Sequence, residues 1–114
     1  MVVRRGEVWW AELGAPRGSG PALRRPVMIV QADAFNRSAI RTVVVATLTA
    51  NLGRADDPGN VLIPRGACGL PKESVVNVTQ LATVDRAHLT SRVGRLPPRL
   101  LARAADGLRL VLAL

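Results

Sequence analysis

The chain has no tyrosine, one phenylalanine, one histidine and one cysteine. A lone Cys68 excludes an internal disulfide framework and a multi-cysteine zinc site. A lone His88 excludes a histidine pair for acid–base work within one chain, and most histidine metal clusters. No run of about 18 apolar residues occurs, so no transmembrane helix is expected. The opening Met1-Val2-Val3-Arg4-Arg5 lacks the apolar stretch and small-residue cleavage site of a secretory signal, which makes a cytoplasmic location the simplest expectation. P-loop, dinucleotide, zincin and Cys-x-x-Cys motifs are missing. No serine stands in a nucleophile elbow, and the eight carboxylates are scattered. No metal or cofactor is expected. Lysine is also nearly absent: Lys72 stands alone beside fifteen arginines.

What is present suits a globular chain. Apolar residues make up 48% of 114, enough for one core and one domain spanning 1–114. The net charge of +8 points to nucleic acid or an acidic protein as partner. Part of the arginine excess follows the Ala, Gly, Pro and Val richness of a high-GC coding sequence, but the charge is physically real either way. Arginine offers a planar fork that grips phosphate.

Hydrophobic patterning reads as short strands over 6–13, 26–31, 42–49, 60–63, 73–81 and 92–96. Residues 14–24 hold so many turn formers that they read as a long mobile loop, and 50–60 as a second polar loop. Pro26 fits as the first residue of its strand. A helical turn is expected near Asn36, and Asp85 is a candidate N-cap for a short helix through Leu89. Pro97-Pro98 opens a terminal helix whose apolar positions are Leu100, Leu101, Ala104, Ala105, Leu108, Val111 and Leu112. Its end, Leu110 to Leu114, is apolar all round and calls for burial in the core or against a second subunit. The fold class expected is mainly β, a small and strongly bent SH3-like barrel with a C-terminal helix.

One group of residues stands out by geometry. If strands 26–31 and 42–49 are antiparallel neighbours, the start of the first lies beside the end of the second. Arg25 then falls near Thr49, and alternation puts Thr47 on the face of Thr49. With Gly18-Ser19-Gly20 nearby, a guanidinium, two hydroxyls and free backbone N–H groups gather where a phosphate could bind. The same residues also read as ordinary strand threonines and a solvated edge charge.

The segments Arg5-Gly6-Glu7-Val8-Trp9-Trp10-Ala11-Glu12-Leu13, Arg25-Pro26-Val27-Met28-Ile29-Val30-Gln31 and Val45-Ala46-Thr47-Leu48-Thr49 resemble the MazF/PemK family of toxin endoribonucleases. Gly69-Leu70, Ser74-Val75, Gln80, Thr83-Val84-Asp85 and Val93-Gly94 follow in that family's order. The resemblance implies a bent barrel, close to that of gyrase-poisoning toxins, working as a homodimer. It implies metal-independent cleavage of single-stranded RNA to 2′,3′-cyclic phosphate and 5′-hydroxyl ends, inhibiting translation and growth, with mRNA, tRNA and rRNA all open as targets. It places the catalytic roles on Arg25 and Thr49, and RNA contacts on the loop Arg17 to Arg24, on Ser19 and on Gln80. It implies a cognate acidic, MazE-like antitoxin whose tail occupies the RNA groove. Gly20 departs from the family, where an acidic residue is common. Two other classes fit the fold: a gyrase poison, with key residues at the C-terminal end, and a non-catalytic RNA-binding barrel. The scarcity of aromatics counts against a base-stacking platform.

Overall fold

The computed structural model describes residues 2–14 and 23–114. Six strands form one antiparallel sheet: β1 (Glu7–Gly14), β2 (Leu23–Ile29), β3 (Thr42–Thr49), β4 (Val61–Ile63), β5 (Ser74–Asp85) and β6 (Leu89–Arg95). Their order across the sheet is β4-β5-β3-β2-β1-β6. A short helix α1 (Asp33–Asn36) links β2 to β3, and α2 (Pro98–Leu112) closes the chain. The sheet curls into a half-barrel with the helix packed on β4 and β5.

The β-branched run of β3 explains its central place. Ala46 and Leu48 feed one apolar cluster, with Met28, Val76, Leu100 and Ala104. Val43 and Val45 feed a second, with Trp9, Val27, Ile29 and Val84. Alternation along each strand thus supplies cores on both sides of the curled sheet. Curvature has a local cause. The β1–β6 register slips between Val8 and Trp9 and again between Trp10 and Ala11. The β3–β5 register slips further: Ala46 faces Leu81, but Leu48 faces Val76. Such bulges bend the strand that carries the extra residues.

Several boundaries differ from the sequence reading. β2 begins at Leu23, so Pro26 is its fourth residue and not its first. The ladder of β2 with β3 runs only over Val27, Met28 and Ile29, so at Pro26 the strand has a partner on the β1 side alone. That is where a strand tolerates a missing N–H. β5 runs on to Asp85 instead of stopping at 81, since its far half pairs with β3. Asp85 does cap: its carboxylate accepts from the Ala87 N–H at 2.9 Å. The helix it starts is a single 3-10 turn, Arg86–His88, and β6 already begins at Leu89. The expected loop 14–24 gives up Gly14 to β1 and Leu23 and Arg24 to β2, and its residues 15–22 lie outside the described residues. The polar loop 50–60 contains a 3-10 turn, Leu52–Asp56. The turn near Asn36 is present as α1, where Asp33 accepts from the Arg5 N–H at 2.7 Å and from Asn36 at 3.1 Å. The Arg5 bond, with that amide, holds the Asp33 carboxyl below its ordinary range.

One buried carboxylate ties β1 and β6 to the N-terminal turn. Glu7, nearly inaccessible, accepts from the Arg4 N–H at 2.8 Å, the Trp9 indole at 3.1 Å and Arg92 Nε at 2.7 Å. Trp9 is therefore a core residue with its polar edge satisfied.

Helix α2 buries Leu100, Ala104, Gly107 and Leu108. Its last turn is exposed: Leu110 is 63% accessible and Leu114 86%. The C-terminal apolar end thus does not pack into its own core. Gly107 would cost a free helix about 1 kcal/mol relative to alanine. Here it is required, because a Cβ at Gly107 would run into the backbone carbonyl of Gly59, itself at φ +85. Gly107→Ala is expected to destabilise by about 1–3 kcal/mol through overpacking, where helix propensity alone predicts a gain. The urea midpoint decides: a rise would show that the Gly59–Gly107 contact yields freely.

Candidate RNA-cleavage site

β2 and β3 are antiparallel neighbours, with Val27 facing Thr47, Met28 facing Ala46 and Ile29 facing Val45. Continuing this register by two residues sets Arg25 opposite Thr49. Thr49 is itself held from the other side by pairing with Val75 of β5. Arg25 is exposed and Thr49 half-buried. No hydrogen bond joins the two among the described residues.

The two threonines are in different states. The Thr47 hydroxyl donates to the Gln80 carbonyl at 3.4 Å. The Thr49 oxygen accepts from the Asn51 N–H at 3.1 Å. A hydroxyl has one proton to give and two lone pairs. That of Thr49 is not committed by this bond, so it can be offered to a phosphate oxygen. The Thr47–Gln80 contact follows from the β5 bulge, which lies between the Ala46–Leu81 and Leu48–Val76 pairs. It brings the expected groove residue Gln80, whose surface is exposed, to the strand that carries both threonines.

Arg24 and Arg25 alternate. Arg24 lies over the Trp10 ring, 4.5 Å from its centroid. Both arginines line a cleft of about 300 Å³ shared with Trp10, Pro26, Leu48, Leu70, Lys72 and Ser74. Among the described residues no carboxylate borders it. Sequence reasoning missed Trp10, Lys72 and Ser74, which the sheet's curl brings in from β1 and from the start of β5. The isolated lysine and the second tryptophan of a Trp-Trp pair were the available signals. The expected contacts Arg17 and Ser19 lie outside the described residues.

The remaining nucleophile is poorly placed. Cys68 is buried, and desolvation pushes its thiol up, away from the reactive thiolate.

The sequence profile of PemK-like, MazF-like toxins of type II toxin–antitoxin systems matches residues 4–112. The chain belongs to this family. The endoribonuclease MazF6 of Mycobacterium tuberculosis is 47% identical over 114 residues, covering 100% of both chains. A solved mycobacterial endoribonuclease in complex with its cognate antitoxin superposes with a TM-score of 0.74 at 25% identity, covering 99% of this chain and 95% of the other. The MazE–MazF structure from Deinococcus radiodurans gives a TM-score of 0.81 at 19% identity, covering 100% and 98%, and supports the fold alone. The half-barrel with its terminal helix is thus the fold of MazF structures. In this MazF-like chain, the end of the sheet where β2 outruns β3 combines cations, the Thr49 hydroxyl and a cleft among the described residues.

Proposed function

We propose that this MazF-like endoribonuclease toxin cuts single-stranded RNA at Arg25 and Thr49, using the substrate's own 2′-hydroxyl as nucleophile. The observation that supports the site is the β2–β3 register, which, continued two residues past its last pair, brings Arg25 toward Thr49, whose hydroxyl oxygen accepts from the Asn51 N–H. As the 2′-oxygen attacks the adjacent phosphorus its proton passes to solvent water, and the expelled 5′-oxygen takes up a proton from solvent, leaving a 2′,3′-cyclic phosphate and a 5′-hydroxyl. The step needs in-line geometry and stabilisation of charge on the phosphoryl oxygens. Arg25 supplies the second through its fork. Arginine stays protonated and so acts by charge and donation rather than as a base. Thr49 donates to a phosphoryl oxygen and fixes its position. This charge stabilisation comes from the protein, so cleavage is expected to proceed without a metal ion.

Gln80, Arg24 and Thr47 flank the site and are proposed RNA contacts. Arg17 and Ser19 are proposed contacts from the loop between β1 and β2. Messenger RNA is the proposed substrate, with tRNA and rRNA as further single-stranded candidates, and the growth arrest follows from lost translation. An acidic antitoxin tail suits the +8 chain, because opposite charge speeds encounter and rejects wrong partners. By occupying the RNA groove it would inhibit. No helix among the described residues is long and apolar enough to cross a membrane, in keeping with the proposed cytoplasmic location. The exposed Leu110, Val111, Leu112 and Leu114 offer an apolar surface to a second copy, and a homodimer is proposed on that ground.

Purified protein incubated with total RNA in EDTA should produce discrete new 5′ ends. Arg25→Ala should stay folded and lose at least about 100-fold in rate, the scale for removing a transition-state donor; Thr49→Ala should lose less. Normal turnover by the arginine variant would remove Arg25 from the site. Light scattering at micromolar concentration should report twice the chain mass, and a monomer would overturn the dimer.

A further inference from the structure

The cleft beneath Trp10 has the make-up of a nucleotide site. Arg24, Arg25 and Lys72 supply positive charge, and Pro26, Leu48 and Leu70 supply an apolar floor. Its volume of about 300 Å³ suits one small ligand unit. Arg25 borders this cleft and also, by register, shares a strand face with Thr49. Trp10 and Leu48 belong to the face of the first apolar cluster and Thr49 alternates to the other, so Arg25, at the end of the ladder, is the residue that the cleft and the proposed cut site share.

We propose that the cleft takes the nucleotide flanking the cut phosphodiester, its base stacked on the Trp10 indole in place of Arg24 and its outer phosphate on Lys72. The inference rests on the nuclease reading above. The ring is ready for this role. Trp10 is half-buried with its body against the first apolar cluster, and its indole does not share the Glu7 bond that locks Trp9 into the core. Arg24 covers it at 4.5 Å. A base sandwiched between the two would need about 7 Å, two contacts of about 3.5 Å each, so Arg24 must leave the ring. The exchange is favourable, because base stacking on an aromatic ring outweighs a cation–π contact at an exposed site. The released guanidinium is then free for a phosphate oxygen. Lys72 is held from behind: the buried Ser74 hydroxyl donates to its carbonyl at 3.1 Å. A chain with few aromatics can thus still own a stacking platform, built on one tryptophan.

The test uses the full chain and random-sequence 8-mers of 2′-O-methyl RNA, which cannot be cut. These should quench indole fluorescence in the wild type. Trp10→Leu should abolish the quench and weaken binding by about 5- to 150-fold, with a circular dichroism spectrum that stays that of the folded wild type. Trp10→Phe should keep most of the affinity. Lys72→Gln should lower the log–log salt slope by about 0.7. In total-RNA cleavage maps, Trp10→Leu should relax base preference at one position beside the cut and leave the others intact. Wild-type affinity in Trp10→Leu, or a quench by deca-glutamate but not by RNA, would overturn the proposal. Quenching without any cleavage would remove the nuclease reading and keep the nucleotide cleft; cleavage without quenching would do the reverse.

Discussion

The antiparallel register between β2 and β3 is the constraint on which the site depends. Val27 facing Thr47 is a core decision, since Val27 and Val45 must both reach the second apolar cluster. A slip of one residue would turn every side chain of the strand to the other face. Burial therefore pins the register, and the pinned register sets Arg25 opposite Thr49 two residues beyond the last ladder pair. The site costs the fold little, because its residues lie where β2 has already lost its β3 partner. Pro26 marks that point. It lacks the N–H that a two-sided strand would need, and the preceding Arg25 is held extended.

Charge works on the same plan. The buried carboxylate, Glu7, is satisfied by Arg92, Trp9 and the Arg4 backbone and does not line the cleft. Among the described residues the cleft itself has cations without carboxylates. Membership in the MazF-like family gives this arrangement its meaning: a toxin endoribonuclease has a polyanion to hold, and on the function proposed above an acidic antitoxin tail would compete for the same cations.

Much of this was legible in the sequence. The β-branched run Thr42 to Thr49 was legible as a strand, and supposing it the antiparallel neighbour of 26–31 gave the pairing that the ladder shows. Asp85 was legible as a cap because an Asx oxygen two residues before a free N–H is a local signal. What escaped was non-local. Pro26 was read as a strand start because the one-sided pairing of β2 is a property of the sheet. The bulge that brings Gln80 to Thr47 arises from a mismatch between β3 and β5, which neither segment shows alone. Lys72 and Trp10 meet only after the sheet curls. The C-terminal leucines were legible as apolar, but their exposure depends on where α2 runs past β4. Gly107 would weaken a free helix, and the close approach of Gly59 turns it into a requirement.

The central claim is that the protein supplies charge and position while the RNA supplies the nucleophile. The most direct measurement is cleavage of a single-stranded RNA carrying the mapped cut sequence, compared with the same strand bearing one 2′-deoxy nucleotide immediately 5′ to the cut bond. The account predicts unchanged binding and no cleavage of the deoxy strand. Cleavage of that strand at a comparable rate would show that another nucleophile attacks, and would contradict the account.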